Sequence, residues 1–119
     1  MAKILLAEDE ASVSAFVARA LTQQGHAVTS VGNGMLALAA LARAPFDLLL
    51  TDIVMPELDG IALALKASKD YPAMKILMMT GYAAERQRAH GLEALVNRVI
   101  MKPFTLDEIV LAVKELLET

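Results

Sequence analysis

The apolar residues of this chain gather into five short continuous runs, and each run gives way to a segment of helical spacing. Lys3-Ile4-Leu5-Leu6-Ala7, Ala27-Val28-Thr29-Ser30-Val31, Phe46 to Thr51, Ile76-Leu77-Met78-Met79 and Val96 to Met101 read as strands. Runs this short suit strands covered on both faces of a sheet. From Ala11, Val13, Phe16, Val17, Ala20 and Leu21 recur on one helical face, and Gly25 supplies a stop. Gly32-Asn33-Gly34 turns the chain into an alanine-rich helix carrying Leu38 and Leu41. A third helix runs from Gly60 to Asp70 and ends at Tyr71-Pro72. A short polar helix spans Ala84 to His90, with Gly91 as its stop. The last helix is capped by Thr105 with Glu108 three residues on, and Leu106, Ile109, Val110, Val113, Leu116 and Leu117 form its stripe.

Strict alternation of strand and helix predicts an α/β fold: a doubly wound (βα)5 domain with a five-stranded parallel sheet and right-handed crossovers. The expected strand order is 2-1-3-4-5, with ligands bound where strands 1 and 3 diverge, at their carboxyl ends. At 119 residues the expected organisation is one domain over 1–119 with no effector domain. No apolar stretch approaches the roughly 20 residues that span a bilayer, and the start lacks the parts of a signal peptide. The absence of cysteine removes disulfides and thiolate metal sites and suits a cytoplasmic location. A net charge of −3 without a basic stripe argues against nucleic-acid binding.

That topology gives the polar residues at the strand ends their meaning. Glu8-Asp9 follows strand 1, Asp52 closes strand 3, Thr80 closes strand 4, and Lys102-Pro103 follows strand 5. Taken singly, each is commonplace: an acidic pair caps helices, a threonine ends strands, a lysine faces water. Together they put three carboxylates at the switch point, where mutual repulsion calls for a hard cation. Mg2+ suits such oxygen ligands. Three carboxylates against a divalent cation and the Lys102 ammonium nearly balance. Asp52 is then the candidate nucleophile toward a phosphoryl group, with Lys102 and the Thr80 hydroxyl stabilising its oxygens. Pro103 marks a candidate cis peptide bond.

These residues resemble a response-regulator receiver domain, a CheY-like fold. The resemblance extends from Ile4 to Leu117 and rests on Glu8-Asp9, Leu48 to Pro56 with Asp59-Gly60, Thr80-Gly81 and Lys102-Pro103-Phe104. It implies that Asp52 accepts phosphate from a histidine kinase or histidine phosphotransferase, as a phosphoacceptor rather than an enzyme. It further implies that Asp9 binds Mg2+ directly, Glu8 binds it through water, and the Val54 backbone carbonyl completes the protein ligands. Thr80 and Lys102 would read the phosphoryl group, and Gly60 is structural. More narrowly, Thr80-Gly81-Tyr82-Ala83, Ala89-His90-Gly91-Leu92 and the helix at Ile61-Ala62-Leu63-Ala64-Leu65-Lys66 resemble CpdR-type single-domain receivers, adaptors for a ClpXP-type protease.

Two positions depart from the family. Where receivers often carry an aromatic switch residue three before the lysine, this chain has Val99, which leaves Tyr82 as the candidate mobile aromatic. Two residues after Asp52 stands Val54, an apolar side chain where a polar one can orient the hydrolytic water, so autodephosphorylation is expected to be slow. The expected output is a protein contact through the fourth helix, fifth strand and last helix, where Arg86, Arg88 and His90 also fit an ordinary solvated face. A phosphorelay shuttle returning phosphate to a histidine remains open as an alternative. An aspartyl-phosphate hydrolase would need a second Asp at Val54. A flavodoxin-like carrier would need a hydroxyl- and glycine-rich loop after strand 1.

Overall fold

The computed structural model describes residues 1–81 and 96–119. Five parallel strands, β1 (Lys3–Ala7), β2 (Ala27–Val31), β3 (Leu48–Asp52), β4 (Lys75–Thr80) and β5 (Arg98–Met101), form one sheet in the order β2-β1-β3-β4-β5. Among the described residues the helices are α1 (Ala11–Gln23), α2 (Gly34–Arg43), α3 (Gly60–Asp70) and α4 (Leu106–Leu117). The expected helix at 84–90, and with it Tyr82, Arg86, Arg88 and His90, lies outside the described residues.

The central strands are apolar on both sides because each side has its own core. Leu6, Leu48, Leu50 and Leu77 pack under α1 and α4 through Val17, Leu21, Ile109 and Val113. Leu5, Leu49, Ile76 and Met78 pack under α2 and α3 through Leu41, Leu63 and Ala67. Burying one such side chain contributes about 1.5–3 kcal/mol, so the two cores fix which face of each strand each helix covers.

Side-chain caps begin α2, α3 and α4, and the expected Thr105–Glu108 cap and Gly25 stop are both present. Asn33 accepts the Leu36 amide at 2.8 Å, and Asp59 accepts the Ala62 amide at 2.8 Å. Thr105 and Glu108 exchange reciprocal bonds at 3.1 Å, a complete capping box. Gly25 closes α1 at φ +91°, a conformation that costs a side chain dearly.

Three local expectations need correction. The third strand starts at Leu48 rather than Phe46, because Asp47 is occupied by the start of β1: its amide donates to the Lys3 carbonyl at 2.8 Å and its carboxylate accepts the Lys3 amide at 2.8 Å. The fifth strand starts at Arg98 rather than Val96, because Asn97 caps β4, accepting the Ile76 amide on its side chain and donating its own amide to the Ile76 carbonyl. Phe16 and Leu106, assigned to apolar helix faces, are 41% and 45% exposed: Leu106 is the first residue of α4, and Phe16 turns to the ring of Phe104 rather than into the core.

Candidate functional site

Strand register assembles the site before any side chain is considered. Ala7 of β1 pairs with Thr51 of β3, so the next residues, Glu8 and Asp52, emerge side by side. Asp52 in turn pairs with Met79, one residue before Thr80, and Thr80 pairs with Met101, one before Lys102. The Lys102 amide donates to the Thr80 carbonyl at 2.7 Å, and the Lys102–Pro103 bond is cis.

Lys102 is the hub. Its Nζ lies 2.8 Å from Glu8 Oε1 and 3.2 Å from Asp52 Oδ2. Glu8 Oε2 accepts the Glu10 amide at 3.1 Å, and Asp52 Oδ1 accepts the Ile53 amide at 2.9 Å. Glu8, Asp52 and Thr80 are buried, whereas Asp9 is exposed. Burial pushes the Glu8 carboxyl above its usual range, opposed by the Lys102 and Glu10 hydrogen bonds and reinforced by the charge of Asp52. Burial likewise raises Asp52, against the opposing charge and hydrogen bond of Lys102. For Lys102, burial alone would lower the pKa. The Glu8 hydrogen bond and the two carboxylate charges outweigh it, and the ammonium is held protonated above its ordinary value.

One oxygen each from Glu8, Asp9 and Asp52 can be chosen so that all lie within 4.8 Å of one another. Among the described residues Lys102 is paired with Glu8 and Asp52 of this three-carboxylate cluster, so one ammonium leaves the cluster short of positive charge. Hard oxygen donors at this spacing fit a small divalent cation that retains some of its water. The cluster is therefore an arrangement that could hold such an ion.

The loop from Asp52 to α3 is tightly held. The Gly60 amide donates to the Ile53 carbonyl at 2.7 Å, and a side chain at Gly60 would run into the Asp52 carbonyl. The Thr51 hydroxyl donates to that same carbonyl at 2.9 Å. Gly60 is thus a point where the chain passes close behind the acid. Val54, on this loop, is 53% exposed.

A cleft of about 670 Å³ opens over the acids, with Asp9, Asp52 and Lys102 on its floor and Val13, Phe16, Val54, Pro103 and Phe104 among its walls. The Phe16 and Phe104 rings meet at 6.5 Å between centroids. Sequence spacing missed this wall. Phe16 had the period of a core residue, and the available signal was Phe104, an aromatic directly after Lys102-Pro103.

This strand order, with an acidic cluster at the carboxyl ends of β1 and β3 and a lysine after β5, agrees with the comparisons. Residues 4–114 match the response regulator receiver domain family. The chain belongs to that family. It is similar to the response regulator receiver protein CpdR of Brucella abortus, 42% identical over 98% of each chain. It is also similar to the sensor kinase CckA of that organism, 36% identical over 98% of this chain but only 13% of the kinase. Among solved structures, the response regulator TrrA of Thermotoga maritima, in complex with Mg2+-BeF, superposes with a TM-score of 0.88 at 28% identity, covering 98% of this chain and 99% of that one. Receiver domains are phosphoacceptors of two-component systems rather than enzymes of the ordinary kind, and they engage histidine kinases and downstream partners. Among the described residues of this receiver domain, no helix is long and apolar enough to cross a membrane.

Proposed function

We propose that this receiver domain is a phosphorylation switch in which Asp52 takes a phosphoryl group from a phosphohistidine. The observation that carries this reading is the convergence of Lys102 Nζ on Asp52 at 3.2 Å and on Glu8 at 2.8 Å beside Asp9. An Asp52 carboxylate oxygen attacks phosphorus, the P–N bond to the donor histidine breaks, and the imidazole leaves as the acyl phosphate forms. Lys102 neutralises charge on the transferred oxygens, and the Thr80 hydroxyl donates to another. Asp9, Asp52 and the Val54 carbonyl would hold Mg2+, with Glu8 acting through water. The bound ion supplies the positive charge that lets an anionic phosphoryl group approach three carboxylates. Transfer is self-catalysed in the sense that these groups belong to the acceptor itself.

Val54 and the Phe16–Phe104 wall give the cleft an apolar rim, which disfavours an ordered attacking water and supports slow autodephosphorylation. Tyr82, outside the described residues, would serve as the mobile aromatic that Val99 cannot be. The output is a contact made by β5, α4 and residues 84–90. Similarity to CpdR over 98% of both chains favours an adaptor role toward a ClpXP-type protease in the cytoplasm. The similarity of this chain to a segment of a sensor kinase favours a second reading, a relay that returns phosphate to a histidine phosphotransferase.

Two experiments test this. Labelled phosphate on a histidine kinase should pass to the native chain and not to Asp52→Asn; failure to label the native chain from any phosphohistidine donor would remove the reading. Affinity capture with the native chain and Asp52→Asn should then recover a protease unfoldase for the adaptor or a histidine phosphotransferase for the relay. Recovery of neither would remove both outputs.

A further inference from the structure

The two edges of the sheet are treated differently. On one side β5 carries Arg98, which reaches Glu115 of α4 at 3.6 Å, and the chain continues into Lys102-Pro103. Charge and proline of this kind protect an open edge from pairing with another chain. On the other side β2 carries neither. Its Ala27, Thr29 and Ser30 are exposed, and among the described residues it has a strand partner on one side only.

The lack of charge continues past the strand. Residues 27–42, which make β2, the following turn and all of α2 but its last residue, contain no Asp, Glu, Lys, Arg or His. In a chain that is 21% charged, a stretch this long would carry about three such residues. The outward side of α2 shows Met35 and Leu36, 53% and 52% exposed, where a solvated helix normally places charge.

We propose that β2 and the outer face of α2 form an interface with a second copy of this chain, the two β2 strands pairing antiparallel across a two-fold axis. Charge selects the occupant. A two-fold contact sets a patch against itself, so a charged patch repels its copy and a neutral one does not. The net −3 is carried by residues outside 27–42, so two copies meeting along this stretch set no like charges of its own against one another. A charged peptide or nucleic acid finds nothing complementary here. The open ladder of β2 supplies direction and backbone hydrogen bonds. Five residues of strand pairing are marginal alone, and Met35 and Leu36 supply the apolar area. The interface does not depend on phosphoryl chemistry at Asp52.

Sedimentation equilibrium on the full chain, from micromolar to near-millimolar, should show the mass rising from one chain toward two. Thr29→Lys and Leu36→Glu should each raise the dissociation constant by about tenfold or more. Leu111→Glu, at an exposed apolar position on α4, should leave it unchanged. Hydrogen exchange on the native chain gives an independent reading if a variant misfolds: β2 amides should gain protection with concentration while those of β5 do not. A single-chain mass throughout, a dimer weakened by Leu111→Glu instead, or β2 protection indifferent to concentration would each overturn the proposal.

Discussion

Replacing Lys102 by Met keeps the stem of the side chain and removes the charge on which two buried acids converge. At an effective dielectric near 20, contacts of 2.8 Å to Glu8 and 3.2 Å to Asp52 each represent about 5–6 kcal/mol of gross attraction, largely offset by desolvation. The net effect of the substitution is therefore set by what is left behind. Stranding a fully buried charge costs about 3–5 kcal/mol. Here the cleft admits water and the lysine side chain is 21% exposed, so a loss of about 2–3 kcal/mol is expected at neutral pH.

The sign of its pH dependence follows from the acids. Both Glu8 and Asp52 have folded-state pKa values raised above 4.5 and 3.8, so their contribution to stability is fully present below those values and declines as pH rises through the folded-state range. Removing Lys102 deletes the main influences that hold those pKa values down and steepens the decline. Urea unfolding should show the midpoint of Lys102→Met about 1.3–2 M below native at pH 7, taking m at about 1.5 kcal/mol/M. The gap should narrow toward pH 4, as both acids take up protons. An equal loss at the two pH values, or none at pH 7, would refute the assignment of Lys102 as the counter-ion of the pair.

Further expectations concern the metal, the loop and the helix end. Affinity for Mg2+, followed by calorimetry, should fall as pH drops toward 5, because raised carboxylates take up protons that compete with the cation; a flat profile would contradict the Glu8–Asp9–Asp52 site. Gly60→Ala should cost about 2–4 kcal/mol in urea unfolding because its methyl meets the Asp52 carbonyl, while Gly32→Ala, with nothing within 4 Å, should cost far less. Thr105→Ala should lose about 1 kcal/mol with the capping box, read as a lower Tm. Once formed, the acyl phosphate should outlast seconds in Mg2+, and Val54→Asp should shorten its life; rapid native decay would refute the role given to the apolar rim.

Much of this architecture was legible in the chain. The apolar runs place β1, β3 and β4 because a strand covered on both sides tolerates little else, and their order puts Glu8 beside Asp52. What spacing could not separate was a core residue from one overhanging the core. Phe16 continues the period of α1, yet it lies against Phe104 and walls the cleft. Strand starts were misread where a single polar side chain takes over the ladder, as Asp47 does for Lys3 and Asn97 for Ile76. The depth of Glu8 was not legible either, because a buried carboxylate and a solvated one have the same letter. Its burial follows from Lys102, ninety-four residues away in sequence.

The most direct test is the intact mass of the chain after incubation with a small-molecule phosphodonor and Mg2+, beside Asp52→Asn and a metal-free sample. One phosphoryl adduct on the native chain alone, absent from both controls, is the expected result. No adduct with any donor, or one that survives Asp52→Asn, would contradict the assignment of Asp52 as the phosphoacceptor.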